Sequence, residues 1–265
     1  ILPRTHRRML LVLIFLLMED GQHEVYRMQI GYIQGRLSPL MDGKIQAFPW
    51  GFWEAEFPIA NTLGFELMEW TLDQENLNQN PLMTVDGRKV IQQLCVEYQT
   101  TVTSVTGDCF MQAPFWKHNG EVRASLQSDF KRVVKCCAEL NIRFLVVPLV
   151  DDGCIESSEQ EIVVLEYFSE LSDFLRQHRV NVAFESDYSP ERLGLFIDQF
   201  PRDIFGINYD SGNSAALGYK PQVEFAIYGD RVINVHIKDR VFNGSTVALG
   251  TGSADFDAVF SGLRA

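Results

Sequence analysis

Seven short apolar runs, rich in β-branched and aromatic residues, recur along the chain. They are MQIGYIQ from Met28, FELMEWTL from Phe65, TVTSVTGDCF from Thr101, IRFLVVPLV from Ile142, VNVAFES from Val180, FGINYD from Phe205 and VINVHIKD from Val232. Several are nearly continuous rather than alternating, as parallel strands covered on both faces are. Between them the period lengthens to that of helices. Val122, Leu126, Phe130, Val133 and Cys137 share one face, as do Ile162, Leu165, Phe168, Leu171 and Leu175. Ser189 followed by Pro190 supplies an N-cap and a first-turn proline for a helix carrying Leu193, Ile197 and Phe200.

Strands alternating with amphipathic helices are what βαβ units require, so the pattern predicts an α/β fold with a parallel sheet. A doubly wound sheet would carry its ligand at a glycine-rich first turn, and no GxGxxG or P-loop pattern follows any of these runs. A (β/α)8 TIM barrel instead gathers polar residues at the C-terminal ends of many strands, where the βα loops build its site. Gln34 and Arg36 follow the first run, Glu69 lies in the second, Asp108 in the third, and Asp151 follows the fourth. Glu185, Asp210 and His236 end the fifth, sixth and seventh. These positions favour the barrel. After the seventh run the chain passes through GSTVALGTGSADF and a last helical segment to Ala265 with no eighth strand. A barrel truncated before that strand is expected, although an unclosed barrel leaves two edges with unpaired backbone groups.

The first residues stand apart. Arg4, Arg7 and Arg8 precede the apolar run MLLVLIFLLM, Met9 to Met18, in the order of a signal peptide's charged and apolar regions. The following EDGQHEVYR offers no small-residue cleavage site, and the run is too short for a spanning helix, which takes ~20 residues. Residues 1–27 are therefore read as an N-terminal extension, and the barrel domain is placed at 28–265.

At 265 residues, 46% hydrophobic and 22% charged, with no low-complexity linker, the chain fits one large domain. Its net charge of −12 argues against nucleic acid as the main partner, because duplex affinity comes largely from Lys and Arg neutralising phosphates. A small anionic substrate needs only a local basic site and stays open. The five cysteines are odd in number and lack CxxC spacing, which fits a reducing, cytoplasmic compartment.

A divalent metal held for sugar chemistry needs hard oxygen ligands and an imidazole in a site open to substrate. Glu185, Asp210 and His236 supply that set from equivalent ends of three consecutive strands, where residues distant in sequence converge on a barrel axis. Each also has a local reading. Glu185 can pair with a cation, Asp210 can cap the turn DSGN, and His236 can bond a carbonyl within the core. Their common level on three strands favours a shared site.

The segments YDSGNSAALGY, NVHIKDR and ALGTGSADF, with IGYIQGRLSP and FESD before them, resemble the xylose-isomerase-like TIM-barrel superfamily. Within it they are most similar to the sugar phosphate isomerase/epimerase group that includes hexulose-phosphate 3-epimerases, and the resemblance runs from Met28 to Ala265. It implies one divalent metal ion, Mn²⁺, Mg²⁺, Co²⁺ or Zn²⁺, on a glutamate of strand five, an aspartate of strand six, a histidine of strand seven and a carboxylate of strand eight. The first three carry over to Glu185, Asp210 and His236; the fourth has no counterpart. It also implies a metal-dependent isomerase or epimerase of a sugar or sugar phosphate, acting by proton abstraction next to a carbonyl with Glu185 as base. One base serving two carbons gives an isomerase, and two bases on opposite faces give an epimerase.

Further substrate-binding candidates carry weaker signals. Glu69 can bond a sugar hydroxyl or sit in an ion pair. Lys238 and Arg240 can neutralise a phosphate, although Asp239 between them permits an ordinary ion-paired loop. Gly250 and Gly252 form a GTGS loop of the kind that binds phosphate through backbone N–H groups. Asn213 can reach a hydroxyl or make a turn, and His118, beside Phe115 and Trp116, can belong to a loop closing over a sugar or to the barrel rim.

Other readings remain: a metal-dependent dehydratase of a polyol or shikimate-like acid, or a non-catalytic barrel or fragment. The superfamily's apurinic endonuclease activity needs a histidine-rich metal cluster and a basic face, which the composition opposes. The expected partner is a small sugar or sugar phosphate, with no nucleic acid or membrane; a homo-oligomer is compatible with the sequence.

Overall fold

The computed structural model describes residues 30–41, 43 and 46–264. The extension assigned to residues 1–27 lies outside them. Each of the seven apolar runs forms a strand: β1 Gly31–Ile33, β2 Leu67–Thr71, β3 Thr101–Thr106, β4 Phe144–Leu149, β5 Asn181–Ser186, β6 Phe205–Asp210 and β7 Val232–His236. They make one wholly parallel sheet in the order of the chain, with helical segments between successive strands. A two-stranded antiparallel ribbon, β8 Asp239–Arg240 and β9 Thr246–Val247, follows β7. Among the described residues no strand joins β7 to β1, and no helix is long and apolar enough to cross a membrane.

The sheet is strongly curled. In a flat sheet, five strand spacings would separate β2 from β7 by about 24 Å. Yet Glu69 of β2 meets His236 of β7 at 2.7 Å and accepts a hydrogen bond from Asn234 of β7 at 3.0 Å. The strands therefore wrap around an interior shared by the two ends of the sheet, the geometry of a TIM barrel open between β7 and β1.

That interior is polar. Glu69, Ser104, Asn208, Asn234 and His236 form one connected set, with Ser104 donating to Glu69 at 2.7 Å and Asn234 to Asn208 at 2.9 Å. On β2 and β6 the alternate residues Met68, Trp70, Phe205, Ile207 and Tyr209 face outward and are apolar, and both strands are buried along their whole length. Phe184 and Phe205 pack under the helices against Phe168, Phe196 and Phe200. The apolar core thus lies mainly between the sheet and its helical shell.

The helices appear where their period places them, with shifted faces. The helix Gly120–Glu139 buries Phe130, Val133 and Cys137, but Val122 is 54% exposed. Twenty helical residues span about 30 Å against about 20 Å for a six-residue strand, so one end overhangs the sheet. The second predicted helix is two, Ser158–Glu170 and Ser172–His178. In the first of them Val164, Tyr167 and Phe168 are buried while Ile162 is 51% exposed, because two apolar periods overlap along EIVVLEYF. The Ser189 hydroxyl accepts from Arg192 N–H and Pro190 opens the helix Pro190–Ile197, as predicted.

One buried carboxylate shapes the first loop. Glu56 accepts N–H bonds from Gly35 and Leu37 at 2.9 to 3.0 Å, which fixes the turn carrying Arg36 after β1. Burial pushes its carboxyl up to about 7 despite those donors.

Candidate functional site

The ends of β5, β6 and β7 converge. Register pairs Asp210 directly with His236. The His236 Nδ1 lies 3.4 Å from Glu185 Oε2 and 3.9 Å from Asp210 Oδ2, and one ligand atom from each of the three residues falls within 4.8 Å of the others. Metal–ligand bonds of about 2.0–2.3 Å place neighbouring ligand atoms roughly 3–4.5 Å apart. Two carboxylate oxygens and one imidazole nitrogen at these separations fit a divalent cation.

Each of the three is oriented by its neighbours. Asp210 does cap the helix Ser211–Leu217: its Oδ1 accepts from Gly212 N–H and Asn213 N–H, both at 2.8 Å. The cap uses one oxygen and leaves Oδ2 facing His236, so the turn role and the site role coexist. Glu185 accepts from Asn213 Nδ2 on Oε1 and from Asn208 Nδ2 on Oε2, each at 2.6 Å. His236 turns its Nε2 to Glu69 at 2.7 Å and its Nδ1 toward the cluster, where the Asn208 amide also meets it at 3.1 Å. Burial depresses the imidazole pKa, but the Glu69 and Glu185 carboxylates outweigh it and hold His236 well above its ordinary value. Burial likewise raises Glu69, and His236 pulls it back below the usual carboxylate range.

The cluster forms one wall of a cavity of ≈ 350 Å³, where Asn213, Lys238 and Arg240 join it. Lys238 Nζ is 3.5 Å from Asp210 Oδ2, and Arg240 donates to Asn213 Oδ1 at 3.0 Å and to Gly244 O. Gly212 lets Lys238 approach, since a Cβ there would sit 2.9 Å from the lysine's Cγ. Arg36, Gln46, Thr106, Asp108 and Asp151 line the cavity from β1, β3, β4 and their loops.

The structure places the candidates Glu69, His118, Gly250 and Gly252 off the lining of this cavity. Glu69 is fully buried below the cavity, and His236, Ser104 and Asn234 occupy its carboxylate, so it is not placed to bond a sugar hydroxyl. His118 is exposed and does not line the cavity, while Phe115 and Trp116 are buried in the helical shell. Most donors of the GTGS loop are engaged: Gly252 N–H, with Ala254 N–H just beyond the loop, bonds the buried Asp239 carboxylate at 2.8 and 3.1 Å, Thr251 N–H bonds Ala248 O and Ser253 N–H bonds Arg240 O. A Cβ at Gly252 would strike that carboxylate at 2.3 Å, so this glycine serves the capped loop, and neither Gly250 nor Gly252 lines the cavity.

Sequence reasoning also missed residues that the fold brings in. Gln46 bridges Arg36 and Asp108, accepting from Arg36 at 3.2 Å and donating to Asp108 at 2.7 Å. It comes from a segment without periodicity, and no signal marked it. Asp108 was visible at a strand end, but nothing linear tied it to Glu185.

A curled parallel sheet with a carboxylate–imidazole cluster at the carboxyl ends of its strands defines a barrel protein with a candidate metal centre. The match of a family model described as xylose isomerase-like TIM barrel to residues 57–265 narrows the class, and the chain belongs to that family. An inosose isomerase from Bacillus velezensis is 28% identical over 152 residues, 52% of this chain and 54% of the relative; the match thus spans about half of that protein. The IolI protein, solved with a bound zinc atom, superposes with a TM-score of 0.62 at 18% identity, covering 80% of this chain and 78% of its own. A D-psicose 3-epimerase solved in the presence of D-fructose gives 0.64 at 13% identity, covering 80% and 74%. These two likenesses establish the fold alone.

Proposed function

We propose that this chain is a metal-dependent isomerase or epimerase of a sugar, a sugar phosphate or a related polyhydroxy ketone. The convergence of Glu185, Asp210 and His236 on one cavity wall carries this reading. Relatives that act on inosose and the fold shared with a D-psicose 3-epimerase support the substrate class. Glu185, Asp210 and His236 would hold the ion, as the IolI protein's zinc suggests for the family. A bound divalent ion neutralises charge that develops on a carbonyl oxygen as the adjacent C–H bond breaks.

The chain's own groups do the rest. Glu185 takes the proton, its carboxylate plane fixed by one amide N–H on each oxygen. Asn213, Lys238 and Arg240 sit beside it on the same wall and orient substrate hydroxyls or a phosphate. Glu69 holds the His236 ring from below.

Metal analysis joined to solvent-deuterium exchange across a panel of ketoses, ketose phosphates and inososes tests the reading. About one divalent ion per chain is expected, with deuterium entering the C–H next to the carbonyl of at least one compound. A metal-replete chain that exchanges none of them refutes the proposal. Glu69→Gln removes the charged partner of His236 and is expected to weaken metal binding about 10–100-fold by competition with a chelator. Unchanged affinity would mean that Glu69 does not orient the ring toward the metal.

A further inference from the structure

The short helix Ser211–Leu217 ties the candidate site together. Asp210 caps it, and Ser211 Oγ donates to Lys238 O at 2.7 Å and accepts from Lys238 N–H at 3.0 Å. Asn213 makes the contacts that bear on chemistry: its Nδ2 donates to Glu185 Oε1 at 2.6 Å, and its Oδ1 accepts from Arg240 at 3.0 Å. One amide thus fixes both the candidate base and a candidate substrate-binding cation. A helix of seven residues is not stable by itself, so its neighbours set its position. Successive residues of a helix point about 100° apart, and the direction of Asn213 therefore follows from whatever grips the helix's other faces.

The grip on the back of this helix comes from a carboxylate. Glu224, on the helix Pro221–Tyr228, is only 2% exposed. Its Oε2 accepts from Ser214 Oγ at 2.5 Å and from Tyr209 OH at 3.1 Å, and its Oε1 accepts from Tyr228 OH at 2.8 Å. Ser214 follows Asn213 and Tyr209 precedes Asp210, so one carboxylate oxygen holds both sides of the segment that bears the site. These partners are all hydroxyls, and burial pushes the Glu224 carboxyl above its ordinary range against the three donors. An apolar side chain there would avoid the desolvation cost, which leaves directional bonding as what the carboxylate contributes.

We infer that Glu224 is a positioning residue of the candidate site: through Ser214 and Tyr209 it sets the roll of the helix Ser211–Leu217, and with it the Asn213 amide that orients Glu185 and holds Arg240. The inference rests on the proposed isomerase or epimerase reading for the role of Glu185, and deepens it by a residue outside the lining of the main cavity. Side chains reach about 5–6 Å from a helix axis, so a roll of about 10° moves the Asn213 amide by about 1 Å. A displacement of that size at a reacting group lowers turnover by about 100-fold. Tyr228 bonds the same carboxylate but belongs to the same helix as Glu224, away from Asn213, which makes it an internal control.

The test compares Ser214→Ala with Tyr228→Phe in the full chain, reading Tm, Zn²⁺ affinity by chelator competition, and kcat for deuterium exchange with whichever compound of the panel exchanges. Each variant deletes one hydroxyl donor of Glu224, and similar losses of Tm are expected. Ser214→Ala alone lies on the path to Asn213, so it is expected to lower Zn²⁺ affinity and kcat about tenfold, while Tyr228→Phe keeps both within about threefold of the parent. Glu224→Ala is expected to lower both about 10–100-fold, and Glu224→Gln, which keeps an acceptor oxygen for Ser214 and Tyr209, to restore them to within about fivefold. Equal effects of Ser214→Ala and Tyr228→Phe, or a Glu224→Ala chain within about threefold of the parent in both readouts, would overturn the inference and leave the broader reading standing. Should Glu224→Ala not fold, the contrast between Ser214→Ala and Tyr228→Phe decides alone. A parent chain that binds Zn²⁺ but exchanges nothing refutes the proposed reaction, and the contrast in Zn²⁺ affinity still decides the role of Glu224. A parent chain that binds no divalent ion brings down both.

Discussion

Glu185→Gln is expected to suppress both deuterium wash-in and product formation by about 10²–10⁴-fold while leaving the fold intact. The amide keeps the size of the carboxylate and retains an oxygen that one of the two asparagine donors, Asn208 or Asn213, can still reach. What it loses is the basic oxygen. Because the carboxylate is also a candidate ligand, metal affinity falls as well, and the two effects need separating. Proton exchange measured by NMR against rising metal concentration does so: a ligand role alone predicts recovery toward the parental rate once the ion saturates the site, whereas a base role predicts a residual deficit at saturation. Full recovery would remove Glu185 as the base and return the search to the other wall of the cavity.

The strands were legible because their β-branched runs are long, apolar and bounded by polar residues. The three-residue cluster was legible because a period of one strand and one helix carries equivalent ends to one rim. Other features escaped for physical reasons. The apparent absence of alternation in β2, β6 and β7 concealed a two-residue alternation between an apolar outer face and a polar inner one, since Glu69, Asn208 and Asn234 are as buried as Met68, Trp70, Ile207, Tyr209 and Val235 beside them. Linear sequence could not tell that Glu69 lies one layer below the cavity instead of lining it. The glycines of the GTGS loop suggested a phosphate cradle, and the N–H groups of Gly252 and Ala254 do hold an anion, but it is the side chain of Asp239. Asp210 shows why opposed readings of a residue need not exclude each other, because a carboxylate has two oxygens and a helix cap takes only one.

The polar interior shifts responsibility for stability outward. Buried networks such as the one joining Glu69, His236, Asn208 and Asn234 specify an arrangement, but their net contribution is small once desolvation is charged against them. Apolar burial between sheet and helices must therefore supply most of the driving force. Phe168 stands at the centre of that layer: it is fully buried, and its ring meets Phe130, Phe184, Phe115 and Phe205 at centroid distances of 5.1 to 6.1 Å. Those partners come from two strands and two separate helical segments, so no single side chain can move in to fill the space. Phe168→Ala is expected to cost about 3–5 kcal/mol in urea unfolding and to lower Tm by roughly 10 °C for a domain of this size. Ser104→Ala, which deletes one donor from the polar interior, is expected to cost only about 1–2 kcal/mol by the same measurement. A reversed ranking would show that the hydrogen-bonded interior, and not the aromatic layer outside the sheet, holds this barrel together.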